Sequence, residues 1–255
     1  ARDAPALGWA EMIFVLDANH PSRLGALQEP LERSSATIVC IDHHLDPTPF
    51  GHLALVDQEA AATGEILFEL LVRLLGTPLP AEIAEPLYVA IMTDTGSFRF
   101  PQTDPALHRL VAQLLEWGAD PVILYQRVYE EGPPSRLRLL GEALASLSLT
   151  ADGRIATLTI TREMFGRTGT TEADTENFIN YTLTIKGVEI GLMFTELEGV
   201  VKVSFRSKGG IWVNRLAQLF GGNGHKNAAG AKIKGESLDV VVQRVISQAS
   251  QFQEH

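Results

Sequence analysis

Acidic and imidazole side chains stand at the ends of apolar segments in the first half of the chain. Asp17 follows one such run, Asp42-His43-His44 follows a second, and Asp94 closes a third. Carboxylates combined with imidazole suit a hard or borderline divalent cation such as Mn²⁺. A water held between two such ions becomes a hydroxide near neutral pH. Each residue taken alone has an ordinary structural explanation, such as capping the next helix, but together they predict a metal site.

A glycine-rich segment in the second half has the composition of an anion site. Residues 221–230 read Gly-Gly-Asn-Gly-His-Lys-Asn-Ala-Ala-Gly, and glycines allow successive backbone N–H groups to point at a phosphate. His225 adds a side-chain donor, and Arg206, at the end of a strand-like run, offers a bidentate phosphate partner. A glycine-rich stretch by itself is usually a turn, so the nearby arginine and histidine are what favour phosphate binding.

The first half alternates between strand-like and helix-like segments. Short β-rich runs without polar alternation, at 12–16, 37–41 and 53–56, predict strands buried on both faces of a parallel sheet. Helical spacing at 21–33 predicts a crossover between the first two strands. Further helices are predicted at 60–75, 87–96, 105–117 and 121–131. Ligands gather at the carboxyl ends of such strands, where Asp17 and Asp42 fall.

The character of the sequence changes near residue 150. Beyond it, β-rich runs at 154–161, 188–197 and 200–206 accompany helical stretches at 173–183, 211–220 and 237–252. The amphipathic stretch 134–147 predicts a connecting helix. We therefore expect an α/β protein with a parallel-sheet domain over 1–131, a connection over 132–150 and a smaller mixed α/β domain over 151–255. A cleft is expected between the two domains.

Composition limits the classes of partner. The 255 residues carry 21 Lys and Arg against 31 Asp and Glu, a formal net charge of −10. An acidic chain is poorly suited to gripping a long phosphate backbone, which leaves room for a local phosphate pocket. Apolar runs such as 66–75 are broken by charged residues and fall short of the ~20 residues of a membrane span. The single Cys40 fits a reducing compartment, so a cytoplasmic protein without membrane or long nucleic-acid partners is expected.

These motifs occur in the order seen in a known superfamily. Residues 15–17, 41–44, 92–98 and the glycine-rich 221–230 together resemble the DHH phosphoesterases with their DHH-associated C-terminal domain. The nearest match is the group of bifunctional oligoribonucleases and 3′-phosphoadenosine-5′-phosphate (pAp) phosphatases. The resemblance implies that Asp17 is shared by two Mn²⁺ ions, with Mg²⁺ as an alternative ion, and that His43 and Asp94 complete one shell. It also implies that His44 faces the scissile phosphate while Asp42 orients the histidine pair.

The resemblance also assigns the substrate's distal phosphate or terminal nucleotide to the second domain. The residues expected to bind it are Arg206, Ser207, Gly222, Asn223, Gly224 and His225. Arg99, near Asp94, is a further candidate for a phosphate contact. A homodimer paired through the first domain is implied as well.

Two departures from the family pattern affect these expectations. Asn223 replaces a glycine of the usual GGGGH motif, which the loop should tolerate because Asn adopts left-handed backbone conformations more readily than most residues. Nothing before Asp17 matches the family's His-x-x-Pro-Asp-x-Asp motif. The chain is therefore expected to be an N-terminally incomplete DHH domain, and a two-metal mechanism would be impaired in it.

The predicted function is Mn²⁺-dependent hydrolysis of short oligoribonucleotides or pAp by attack of a metal-activated hydroxide. One alternative is a catalytically impaired module that senses a nucleotide. Another is a phosphodiesterase acting on linear or cyclic dinucleotides. A family II inorganic pyrophosphatase shares the first domain but lacks the glycine-histidine segment, so it is disfavoured.

Overall fold

The structure, a computed structural model, describes residues 7–18, 20–44 and 50–252. The chain divides into two compact units, residues 1–131 and 132–255. Within the described ranges, no helix combines the length and the apolar composition that crossing a bilayer requires.

Three parallel strands form the sheet of the first unit. They are β1 (Met12–Leu16), β2 (Thr37–Asp42) and β3 (Leu53–Val56), in the order β1-β2-β3. Leu16, Ile41 and Leu55 lie side by side in this register. Asp17 and Asp42 therefore leave the sheet at the same edge, as expected for parallel strands.

Burial of this sheet is uneven. Val15 and Ile38 pack with Leu31 on one face, and Ile41 packs with Ile66 on the other. Most of the remaining large apolar side chains of the edge strands are exposed: Met12, Phe14 and Leu16 of β1, and Leu53 and Leu55 of β3. The parallel pairing is thus as predicted, whereas burial of every strand on both faces is wrong for β1 and β3.

Helices make up the rest of the first unit. The crossover from β1 to β2 is a 3₁₀ segment, Pro21–Leu27, followed by the short α1 (Gln28–Glu32). The later helices are α2 (Thr63–Leu75), α3 (Ala81–Asp94), α4 (Pro105–Glu116) and α5 (Pro121–Tyr129). Asp104 and Asp120 cap α4 and α5 through their carboxylates, and a proline at the first position reinforces each start.

Helix α3 begins six residues earlier than predicted, because Pro86 lies inside it and not at its start. The N–H groups of Ile83 and Ala84 both donate to the Pro80 carbonyl, so the first turn has formed before Pro86 is reached. A proline this close to a helix start removes one backbone hydrogen bond. Burial of Leu87 and Ile91 in the helical core opposes that loss.

The second unit is built on a six-stranded mixed sheet. Its order is β4 (Ser148–Leu149), β5 (Ile155–Ile160), β6 (Ile190–Leu197), β7 (Val200–Ser207), β9 (Ala228–Lys234) and β8 (Asn223–His225). β5 and β6 are parallel, and the other pairs are antiparallel. The glycine-rich segment, expected as a loop, is the β8–β9 hairpin that closes one edge of this sheet.

Helices cover the two faces of this sheet differently. On one face, α8 (Val213–Gln218) and α9 (Leu238–Phe252) pack against β7 and β9. On the other, α6 (Pro134–Ala145) packs Leu139 and Ala143 against β5 and β6. The predicted connecting helix is therefore part of the core of the second unit. Helix α7 (Arg162–Thr168) was not predicted, and the helix expected at 173–183 consists of two 3₁₀ segments, Glu172–Thr175 and Phe178–Thr184.

Two glycines of the hairpin are required by close backbone approach. A Cβ on Gly222 would lie 2.3 Å from the Gly230 carbonyl oxygen, and a Cβ on Gly224 would lie 2.4 Å from the Ala228 carbonyl oxygen. Gly224 also has a φ of +152°, a conformation that side chains rarely adopt. Since the blocking atoms belong to the backbone of β9, they cannot move without disturbing the sheet.

We expect Gly222→Ala to destabilise the second unit by about 3 kcal/mol, because overpacking against backbone cannot be relieved by a rotamer change. The measurement is thermal unfolding of the full chain. Gly210→Ala is the matched control, since no atom lies within 4 Å of its Cβ position. Equal melting temperatures for the two variants would contradict the packing argument.

Candidate functional site

Asp17 is held at the end of β1 by a constrained backbone. Its φ is +60°, and its N–H donates to the Ile41 carbonyl at 3.0 Å. Such left-handed conformations are tolerated by Asp better than by most residues. The hydroxyl of Thr63, at the start of α2, donates to Asp17 Oδ1 at 3.0 Å. The carboxylate is about half exposed and its direction is fixed by these two contacts.

His43 lies between Asp17 and Asp94. Its Nδ1 donates to the Ala60 carbonyl at 3.1 Å, and because a carbonyl only accepts, the lone pair of a neutral ring is on Nε2. Nε2 lies 3.6 Å from Asp17 Oδ1 and 3.5 Å from Asp94 Oδ2. This arrangement, in which a backbone carbonyl fixes the ring and the other nitrogen faces carboxylates, is typical of a metal-ligating histidine.

His44 is hydrogen-bonded to a carboxylate on one side and to a guanidinium on the other. Its Nδ1 donates to Asp42 Oδ1 at 2.7 Å, and its Nε2 lies 2.6 Å from Arg23 Nη1. Since arginine only donates, Nε2 accepts and the ring is neutral. Burial lowers the pKa of His44, against the opposing effect of its hydrogen bond to Asp42. Asp42 thus orients His44, while the ring of His43 is oriented by Ala60.

Asp94 comes from a different element, the last residue of α3. Burial is the main cause that raises the pKa of Asp94 to about 6, and the nearby Asp17 carboxylate adds to it. Negative charge is therefore crowded at this point. A bound cation would relieve that repulsion.

These residues form what we call the acidic cluster: Asp17, Asp42, His43, His44 and Asp94. Donor atoms of Asp17, His43 and Asp94 lie within 4.8 Å of one another, and so do those of Asp17, Asp42 and His44. Asp17 is common to both groups. Carboxylate oxygen and imidazole nitrogen are suitable ligands for Mn²⁺ or a similar divalent ion, so the donor set fits the metal expected from the sequence.

The loop after Asp94 adopts an unusual backbone. Gly96, Ser97 and Phe98 have φ values of 57°, 60° and 63° in succession, which is unfavourable for the two residues with side chains. The Phe98 ring packs between Tyr88 and His108 and holds the loop. Arg99, predicted to contact phosphate, here donates through Nε to the Gly96 carbonyl at 2.8 Å.

In the second unit, Arg206 and His225 lie on one face of the sheet. Arg206 of β7 and His225 of β8 are both paired directly with Ala228 of β9. Directly opposed residues point to the same face, so the three side chains form a line, which we call the Arg206 row. The outer two are ~10 Å apart across two strand spacings, and the small Ala228 leaves a gap between them.

Arg206 is a partly buried cation without an acidic partner among the described residues. Its Nη1 donates to the neighbouring Phe205 carbonyl at 3.0 Å, and burial lowers the pKa of the guanidinium. Across residues 7–18, 20–44 and 50–252, Arg206 forms no ion pair with a carboxylate. Because buried charges are normally paired, the Arg206 row has the electrostatics of an anion site.

The other predicted phosphate ligands have internal partners. The N–H of Gly222 donates to the Ala217 carbonyl, and the N–H of Gly224 to the side chain of Asn223. Ser207 lies on the face opposite Arg206, where its hydroxyl donates to the Ile211 carbonyl at 2.6 Å. The glycines therefore shape the hairpin, and the side chains of the Arg206 row are the candidates for contacting an anion.

Sequence reasoning missed several contributors to these sites. Three of them contact site residues that are distant in the sequence, so no local pattern indicates them: Arg23, Ala60 and Thr63. Ala228 was quoted within the glycine-rich segment without a role, since its importance follows only from strand register. Asn227, whose amide donates to Ser207 Oγ at 2.9 Å, ties the hairpin turn to the end of β7.

Comparisons with known proteins agree with this architecture. The DHHA1 domain family matches residues 152–251. The bifunctional oligoribonuclease and PAP phosphatase NrnA of Thermus thermophilus is 36% identical over 234 residues, which are 92% of this chain and 68% of that protein.

Two solved structures share the fold. A crystal structure of an exopolyphosphatase-related protein from Bacteroides fragilis superposes with a TM-score of 0.86 at 30% identity, covering 99% of this chain and 74% of that one. RecJ of Thermus thermophilus, crystallised with Mn²⁺, shares the fold at 16% identity and a TM-score of 0.50, covering 98% of this chain and 46% of RecJ. The chain belongs to the DHH phosphoesterases with a DHHA1 domain, in the family of the bifunctional oligoribonuclease and PAP phosphatase NrnA.

Proposed function

We propose that this chain is a Mn²⁺-dependent phosphoesterase that hydrolyses short oligoribonucleotides and pAp. The observation that carries the proposal is the meeting of Asp17, His43 and Asp94 donors within 4.8 Å, although the residues are far apart in the sequence. The name of the 36% identical relative supports the substrate class. The homodimer and the cytoplasmic location expected from the sequence stay predictions.

In this proposal the acidic cluster holds the ion and the reacting phosphate. Asp17, His43 and Asp94 would be the ligands of the ion. Asp17, which also belongs to the group with Asp42 and His44, would be the residue shared with a second ion. When bound, the metal lowers the pKa of water and neutralises charge on phosphoryl oxygens. Thr63 and Ala60 keep Asp17 and His43 aimed at the cluster, which lowers the cost of ordering the site.

A chain of hydrogen bonds places a positive charge beside the acidic cluster. It runs from Asp42 through His44 to Arg23. Asp42 fixes the protonated nitrogen of His44, so Nε2 faces Arg23 as an acceptor. This holds the Arg23 guanidinium near the carboxylates, where it provides a positive charge for a phosphoryl oxygen. His44 therefore acts by positioning Arg23. To contact a phosphoryl oxygen itself, Nε2 of His44 would have to release Arg23 and gain a proton, because that oxygen only accepts.

The second unit binds another phosphate of the same substrate. We assign this to Arg206 and His225, whose side chains flank Ala228. A partly buried arginine without a carboxylate partner is stabilised by a bound anion that supplies the missing negative charge. Gly222, Asn223 and Gly224 support the row by shaping the hairpin.

A substrate panel tests the proposed function. The full chain with Mn²⁺ is assayed on pAp, di- and tetraribonucleotides, a linear and a cyclic dinucleotide, and a 30-nucleotide RNA. Hydrolysis of pAp and the short oligoribonucleotides, with little on the long RNA, is expected. Preference for the cyclic dinucleotide would favour that alternative, and metal and nucleotide binding without turnover would favour a sensing module.

Asp94→Asn should reduce kcat/KM at least about 10³-fold, because losing one ligand charge removes several kcal/mol of metal-dependent stabilisation. The metal-free variant should unfold at no lower temperature than the parent, since the substitution relieves repulsion with Asp17. Glu116→Gln, an exposed carboxylate on α4, is the control. Near-normal turnover of Asp94→Asn would refute its ligand role.

His225→Ala should raise KM about 10- to 100-fold, the usual effect of losing one hydrogen bond to a charged group. kcat and Mn²⁺ affinity should change far less, as steady-state kinetics and calorimetric titration will show. If His225→Ala abolished Mn²⁺ binding instead, the division of work between the two units would be wrong.

A further inference from the structure

A cavity of about 560 Å³ lies at one edge of the sheet in the second unit. Its lining includes Lys232, Ile233 and Lys234, three consecutive residues of β9. Consecutive side chains of a strand point to opposite faces of the sheet. A cavity that all three residues line therefore lies beside the strand edge and not over one face. Leu219 and Phe220, which follow α8, line the cavity as well.

The edge of β9 at this cavity has no strand partner among the described residues. Strand β8 pairs with β9 only through Ala228–Gly230, and β9 continues to Lys234. The Gly235 N–H donates to the Gly199 carbonyl, just before β7, at 3.3 Å. Backbone groups alternate in direction along a strand. The N–H and C=O groups of Lys232 and Lys234 therefore point away from β7, to the open edge.

The cavity has an excess of positive charge. Lys232, Lys234 and Arg244 line it, and none of the described lining residues is acidic. Arg244 forms an ion pair with Glu236 at 3.0 Å. Glu172, already paired with a lysine of β7, also attracts Lys232. Lys234 forms no ion pair with a described carboxylate, so a ligand of this cavity is favoured if it is acidic.

The part of the cavity that faces β9 is apolar. Leu219 is 61% exposed, although it is a large aliphatic residue. The Phe220 ring lies beneath the Arg244 guanidinium, which is 5.4 Å from the ring centroid. Exposed apolar side chains with a polar rim are typical of an interaction site. The edge thus offers main-chain hydrogen bonds, cations and an apolar surface together.

We propose that this edge binds an extended segment of a partner protein, which adds to β9 as a further strand and alternates acidic with apolar residues. Directly opposed residues of paired strands point to the same face. Residues opposite Lys232 and Lys234 are therefore acidic, and the residue opposite Ile233 is apolar and packs on Leu219 and Phe220. In such strand addition, main-chain bonds supply affinity and alternate side chains supply specificity.

The length of the open edge sets the size of the ligand. Residues 231–234 span ~13 Å of strand, so about four residues of the partner lie against β9. This surface is separate from the acidic cluster and from the Arg206 row. The inference therefore does not depend on the proposed function.

Fluorescence anisotropy of the full chain with a labelled peptide tests the predicted sequence pattern. The probe is a fluorescein-labelled octapeptide in which Glu and Leu alternate. A control peptide of the same composition has all its Glu residues before its Leu residues. The alternating peptide should bind at least about tenfold more tightly, because only this pattern places the carboxylates and the apolar side chains on opposite faces of the added strand.

A charge reversal locates the binding site. The double variant Lys232→Glu, Lys234→Glu should bind the alternating peptide at least about tenfold more weakly, since like charges then face one another. Lys186→Glu reverses an exposed lysine elsewhere in the second unit and should bind as the parent does. Thermal unfolding of all three proteins shows whether the second unit is intact.

Backbone methylation separates strand addition from simple charge attraction. Two alternating peptides are made, one N-methylated at every Glu and the other at every Leu. Because the N–H groups of a strand alternate between its two edges, each peptide keeps one edge able to donate. One of the two should bind about as tightly as the unmodified peptide, and the other should bind at least about tenfold more weakly.

Several outcomes would overturn the inference. Equal affinities for the alternating and control peptides, or for the two methylated peptides, would exclude an added strand. Displacement of the peptide by a tetraribonucleotide would make the cavity part of the substrate site. Unchanged peptide affinity together with self-association of the charge-reversed variant would show that the two lysines only prevent edge-to-edge pairing.

Discussion

The crowding of carboxylates around two buried histidines is the constraint on which the first unit depends. Asp17, Asp42 and Asp94 would repel one another in a region that water only partly reaches. Burial first, and the Asp17 carboxylate second, raise the pKa of Asp94 to about 6. Arg23 offsets part of it from beside His44. The remaining excess negative charge favours binding of a divalent cation.

The second unit has the opposite electrostatic character, with an excess of positive charge at its candidate site. Its partly buried Arg206 has no acidic partner within the described residues. In the proposed function, a single chain would therefore keep its cation-binding and anion-binding chemistry on separate folding units. Each site is then positioned by the core of its own unit. The acidic cluster is positioned by β1, β2 and α3, and the Arg206 row is positioned by β7, β9 and β8.

Local sequence patterns were sufficient to predict those site residues whose positions follow from a single strand or helix. The apolar runs before Asp17 and Asp42 predicted parallel strands ending at one edge, and this is the arrangement found. The same reasoning failed at Pro86, because a hydrogen bond to Pro80 starts α3 earlier. It failed again at the glycine-rich segment, since whether glycines form a loop or a hairpin depends on β9 pairing with β7. Arg23 and Ala228 depend on tertiary contacts, which no window of sequence contains.

The distribution of the Arg206 row over three strands has a thermodynamic consequence. β9 follows β8 in the chain but lies between β7 and β8 in the sheet, so the row exists only after β9 has entered between its neighbours. An anion on the row would bind the native arrangement and no partly assembled one. By mass action it would then shift the unfolding equilibrium of the whole second unit, coupling occupancy of the row to the lifetime of its fold.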